Sequence, residues 1–224
     1  MKKKLTRFDL QQMKEKGEKT VWMTAYDFTT AMLAEKAGMD MLLVGDSLGM
    51  AVYGYPGTIP VTLEQSMYHT EAVRRGAPNT FVIGDMPFGS YHGSVNDAVQ
   101  NAVQYHKKCG VDCIKLEGGV RVAHIIRAIA DSGMLVMGHV GLTPQSTGAL
   151  GGFKAQGRDA AAQVAREIGL AFSVPLPFLC SALPRLPADV SPRSTLLVCA
   201  EPQIQFIFGS AIMTGWDGST RITS

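Results

Sequence analysis

Between residues 20 and 170 the chain alternates between two textures. Short runs rich in Val, Ile, Leu and Met are each followed by a longer stretch with one polar face. Near-continuous apolar runs of this length read as strands buried on both sides. They are "TVWMTAYD" (20–27), "DMLLVGD" (40–46), "TFVIGD" (80–85), "DCIKLE" (112–117) and "MLVMGH" (134–139). Helices are predicted over 28–37, 62–75, 94–108, 121–131 and 159–170. Thr62-Leu63-Glu64-Gln65 and Ser94-Val95-Asn96-Asp97 look like helix starts with capping hydroxyls. Gly38, Gly76, Gly110 and Gly133 fall where helices should stop, each ahead of the next strand. Upstream, Leu5, Phe8 and Met13 suit one side of a short amphipathic helix.

Repeated β-then-α units imply a parallel sheet covered by helices. An open doubly wound sheet usually carries a glycine-rich phosphate turn after its first strand. Here that strand ends in Tyr26-Asp27-Phe28-Thr29, with no glycine. A barrel instead gathers functional polar residues at the C-terminal ends of several strands. Asp27, Asp46, Asp85, Glu117 and His139 hold that position on five successive strands. The expected fold is therefore α/β, a (β/α)8 TIM-type barrel, with residues 1–170 forming the barrel portion that carries the site.

After about residue 170 the texture changes. Six of the eleven prolines lie in residues 171–224, which hold only six charged residues, and no lysine follows Lys154. Prolines spaced this closely do not suit a regular βα unit. Only "STLLVCA" and "IQFIFGSAIM" read as strands there, so the barrel is expected to be incomplete or irregular. The abrupt change fits residues after about 160 coming from a shifted reading frame or a mis-joined coding sequence.

Composition narrows the function classes. The 224 residues are 46% hydrophobic and 18% charged, as in an ordinary globular domain. A net charge of +2 gives no electrostatic case for nucleic acid or an anionic membrane. Seven of the 21 basic residues fall in the first 19 positions, but that segment lacks the apolar core of a signal peptide. Cys109, Cys113, Cys180 and Cys199 are too few for a disulfide scaffold and lack zinc spacing, so buried thiols and a cytoplasmic setting are expected.

The stretch "MLLVGDSLGM" (41–50) raises the first chemical question, because Gly45-Asp46-Ser47-Leu48-Gly49 fits G-x-S-x-G. A nucleophile elbow needs a helix directly behind the serine. The chain beyond Gly49 reads as a loop, and the last histidine is His139. The carboxylates make the stronger set. Asp46, Asp85 and Glu117 at neighbouring strand ends would repel one another without a cation between them. Hard oxygen ligands suit Mg²⁺, which can polarise the carbonyl of a 2-oxo acid and stabilise its enolate. Lys115, two residues before Glu117, shares its strand face and could meet a substrate carboxylate. Ser47 then serves as a donor to the substrate.

The motifs "TAYD", "LLVGDSLGM", "AVRRGAPN", "GDMPF", "IKLEGG", "GHVGLTPQS" and "GGFKAQGRD", in order from about Thr20 to Ala160, resemble the ketopantoate (3-methyl-2-oxobutanoate) hydroxymethyltransferase family. The resemblance implies a (β/α)8 barrel, a homodecamer and a role in pantothenate biosynthesis. Its reaction moves the one-carbon unit of 5,10-methylenetetrahydrofolate onto 3-methyl-2-oxobutanoate, giving 2-dehydropantoate. It places Asp46, Asp85 and Glu117 on the Mg²⁺ site, and Asp46, Ser47, Asp85 and Lys115 on the oxo-acid contacts. The family's proton-acceptor Glu sits in a strand reading roughly Leu-Glu-Cys-Val-Pro, which "FLCSALP" (178–184) does not reproduce. Poor turnover is therefore expected of this chain. Two other readings stay open: a Mg²⁺-dependent 2-oxo acid lyase or aldolase, and a homologue impaired by the missing base.

Overall fold

The computed structural model describes residues 3–152, 178–180 and 196–201. The five predicted strands are β1 (Trp22–Thr24), β2 (Met41–Val44), β3 (Phe81–Asp85), β4 (Cys113–Glu117) and β5 (Val136–Gly141). The helices are α1 (Arg7–Glu15), α2 (Phe28–Lys36), α3 (Leu48–Ala51), α4 (Leu63–Gly76), α5 (Val95–Gln104), α6 (Ala123–Asp131) and α7 (Thr147–Leu150). The helix predicted over 159–170 lies outside the described residues, as does "IQFIFGSAIM". Among the described residues, no helix is long and apolar enough to cross a membrane.

Local chemistry explains the boundaries. Thr62 and Gln65 form a reciprocal capping box at the start of α4, and the Ser94 hydroxyl accepts from the Asp97 N–H at the start of α5. A further box, Thr6 with Asp9, starts α1. α5 runs on into a π turn, Tyr105–Cys109, which ends at Gly110 in the left-handed region (φ 66°). Gly76 ends its helix for another reason: α2 crosses α4 there, and an added Cβ would overlap the Phe28 carbonyl oxygen. Alanine normally favours a helix over glycine by up to about 1 kcal/mol. Gly76→Ala is expected instead to cost about 1–3 kcal/mol in urea unfolding, because overpacking against backbone outweighs propensity; a stabilised variant would contradict this packing.

All strand pairs are parallel. β1 to β5 pair in chain order, and two later strands, β6 (Phe178–Cys180) and β7 (Leu196–Glu201), extend the sheet. β6 falls in "FLCSALP", where the apolar pattern predicts no strand, whereas β7 begins in "STLLVCA" as expected and runs one residue past it. The order is β1-β2-β3-β4-β5-β7-β6, so β7 lies between β5 and β6. A regular barrel pairs each strand with its chain neighbour, so the winding departs from that pattern in the tail.

Side-chain alternation along the strands separates two cores. The outer one packs Leu42, Val44, Val82, Ile114 and Leu116 against helix residues such as Ala31, Val73, Ala102 and Ile126. The inner one gathers Met41, Phe81, Ile83, Cys113 and Met137 around Leu10, which α1 inserts from the N-terminal end of the strands. Further along the same inner face, apolar residues give way to Asp85, Lys115, Glu117 and His139. These four are buried too.

Candidate active site

Register assembles the site. Asp85 on β3 pairs with Lys115 on β4, and Glu117 on β4 pairs with His139 on β5. Asp46 lies two residues past the end of β2, and its N–H donates to Asp85 Oδ2 at 3.3 Å. One oxygen from each of Asp46, Asp85 and Glu117 lies within 4.8 Å of the others, and the three residues are 1–3% exposed. Lys115 Nζ donates to Asp85 Oδ2 at 2.6 Å and sits 3.5 Å from Glu117 Oε1. His139 Nδ1 donates to the same Glu117 oxygen at 2.9 Å.

Electrostatics divides the three acids. Burial pushes the Asp85 carboxyl up to about 7, against the pull of Lys115 and with added repulsion from Asp46 and Glu117. Burial likewise raises Asp46. For Glu117 burial acts in the same direction, but Lys115, His139 and the Gln145 N–H together hold it down at about 2. Burial opposes the charge on Lys115, yet its three acidic neighbours more than offset that and keep it an ammonium. Three carboxylates facing one ammonium carry two negative charges in excess when all are ionised.

Those features fit a divalent cation. The donor set is all hard oxygen, the excess charge matches, and Asp85 Oδ1 is a buried oxygen with no hydrogen-bond partner among the described residues. A buried, unpartnered carboxylate oxygen is costly unless something positive meets it.

Ser47 lies beside this cluster in an unstrained right-handed conformation (φ −55°, ψ −15°), and its Oγ is 2.8 Å from the Tyr26 hydroxyl. An activated serine needs a strained turn and a base as partner. Ser47 has an ordinary backbone and a phenol. The loop expected straight after Gly49 is corrected: Leu48–Ala51 forms one helical turn before the chain opens into a loop. This single turn does not restore the elbow geometry.

Asp27 is a second correction. β1 stops at Thr24, and Asp27 caps α2, accepting from the Thr30 N–H at 2.8 Å and the Thr30 hydroxyl at 2.7 Å. Both oxygens are engaged locally, so four of the five strand-end residues converge, not five. Asp112, at the opposite end of β4, pairs with Lys4 at 2.6 Å and Arg74 at 2.9 Å, well away from a Ser-Asp-His arrangement. Cys109 and Cys113 are buried free thiols.

Sequence reasoning passed over Gln145 and Tyr91. Gln145 bonds Asp46, Glu117 and Met86, and Tyr91 donates to its carbonyl oxygen. Beside Glu117 a cavity of about 500 Å³ opens, lined by Tyr91, His92, Gly118, Arg121 and Ser146 among others. Gly118 and its neighbour Gly119 turn the chain there with positive φ (131° and 60°).

Comparison with known proteins gives the family and the fold class. The model of the ketopantoate hydroxymethyltransferase family matches residues 4–169. The 3-methyl-2-oxobutanoate hydroxymethyltransferase of Alkaliphilus metalliredigens (strain QYMF) is 66% identical over 158 residues, 70% of this chain and 56% of that protein. The Bacillus subtilis (strain 168) protein of that name is 53% identical over 154 residues, 69% of this chain and 56% of its own. The chain thus spans little more than half the length of these curated relatives. Among solved structures, phosphonopyruvate hydrolase complexed with oxalate and Mg²⁺ superposes with TM-score 0.57 at 16% identity, over 75% of this chain and 60% of that one. A 2,3-dimethylmalate lyase of the PEP mutase/isocitrate lyase superfamily gives 0.54 at 20% identity, over 78% and 63%. These likenesses agree with the parallel α/β barrel class expected from the strand pattern. With its family model covering most of the sequence, this chain belongs to the ketopantoate hydroxymethyltransferase family.

Proposed function

We propose that this chain carries the metal and oxo-acid site of an enzyme that transfers a hydroxymethyl group from 5,10-methylenetetrahydrofolate to 3-methyl-2-oxobutanoate, giving 2-dehydropantoate for pantothenate biosynthesis. The observation that carries this reading is the buried acidic trio with its single lysine. Asp46, Asp85 and Glu117 would hold Mg²⁺. When bound, that ion supplies Lewis-acid polarisation of the 2-oxo group, which acidifies the adjacent C–H. Lys115, kept charged by its acidic neighbours, attracts the substrate carboxylate. Ser47, oriented by Tyr26, donates to the oxo acid, and Asp46 and Asp85 line the same contact. The cavity beside Glu117, with the Arg121 cation in its wall, offers room for the folate donor. A cytoplasmic homo-oligomer, decameric by resemblance, accompanies this reading.

The test uses the purified 224-residue chain. Titration with 3-methyl-2-oxobutanoate is expected to show binding in Mg²⁺ that disappears in EDTA, with slow product formation only when methylenetetrahydrofolate is supplied. Binding indifferent to Mg²⁺ would overturn the metal assignment. Mg²⁺-dependent cleavage of an oxo acid without folate would favour the lyase alternative.

A further inference from the structure

We propose that Gln145 is a positioning residue that sets Asp46 and Glu117 in the arrangement a divalent cation requires. The inference rests on the proposed metal site and goes beyond it, because Gln145 itself is not among the proposed ligands.

Gln145 sits in a 3-10 turn, Pro144–Ser146, directly behind β5, and is 4% exposed. Its Nε2 donates to Asp46 Oδ2 at 2.8 Å and to the Met86 carbonyl at 3.0 Å. Its backbone N–H donates to Glu117 Oε2 at 3.1 Å. Its Oε1 accepts from the Tyr91 hydroxyl at 2.5 Å. One residue therefore fastens the ends of β2, β3 and β4 together, although β3 separates the other two in the sheet.

The amide can face only one way. A carboxylate and a carbonyl accept and cannot donate, so the NH₂ must point at Asp46 and Met86. Tyr91 reinforces this: its proton has two acceptors in reach, the Gln145 oxygen at 2.5 Å and the Glu117 carbonyl at 3.2 Å, and the shorter contact is to Gln145. The amide also carries no charge. It holds one oxygen of Asp46 without cancelling the negative charge that attracts a cation, whereas a lysine or arginine there would compete with the ion. The Gln145 backbone does the same for Glu117. Groups of this kind commonly change metal affinity by about 10–100-fold when removed.

The experiment is Mn²⁺ binding to the full chain, read as free Mn²⁺ by electron paramagnetic resonance, with no substrate and no turnover. Gln145→Leu is expected to weaken Mn²⁺ binding about 10–100-fold, with near-UV circular dichroism confirming a folded protein. Tyr91→Phe, which removes the hydroxyl that orients the amide and accepts from the Glu117 N–H, is expected to weaken it less. Folded Gln145→Leu with affinity within about two-fold of the parent would overturn the proposal. Should Gln145→Leu fail to fold, unchanged affinity in Tyr91→Phe overturns it. A parent chain that binds no Mn²⁺ sinks the metal reading itself, and this inference with it.

Discussion

Replacing Lys115 with methionine is expected to cost the metal-free protein about 3–5 kcal/mol. Lys115 is 6% exposed and Asp85 1%, so the pair is a buried one, and deleting its cation strands a charge where water cannot reach it. Methionine fills comparable space, which keeps the effect electrostatic rather than a cavity cost. Urea unfolding in EDTA measures it. The gap should narrow as pH falls below neutrality, because Asp85, already raised to about 7 by burial, then takes up a proton and no longer needs Nζ. A loss below about 1 kcal/mol at pH 8 would mean that the lysine does not hold this cluster together.

The second large effect concerns the ion. A ligand that binds only the folded state at about 100 times its dissociation constant stabilises it by about 2.7 kcal/mol. Mg²⁺ in that excess is expected to do so for the parent chain. Asp85→Ala is expected to abolish the increment, because it removes the one buried carboxylate oxygen that has no partner among the described residues. The comparison is made within each variant, with and without Mg²⁺, so any loss of baseline stability from freeing Lys115 drops out. An undiminished increment in Asp85→Ala would place the ion elsewhere.

Much of this site was legible in the sequence because strands alternate. Lys115 and Glu117 are two apart on one strand, so they had to share a face, and both prove buried within 3.5 Å of each other. Asp46, Asp85 and His139 followed from their places at strand ends. The same logic misjudged Asp27, because an aspartate at a βα junction can equally cap the helix, and the choice depends on where the strand stops. Gln145 and Tyr91 lay beyond this kind of reasoning. Their contacts join loops 54 and 99 residues apart, and no local period encodes such meetings. The short α3 turn was hidden by the glycines and prolines just after it. The tail is legible only in part: β7 matched an apolar run, but its insertion between β5 and β6 has no signature in composition.

Leu10 reaches into the strand interior from the N-terminal side, where Met41, Phe81 and Cys113 close around it. The same face is thus packed with apolar side chains in its N-terminal half and carries the acidic trio in its C-terminal half, so the floor beneath the trio is a dry one.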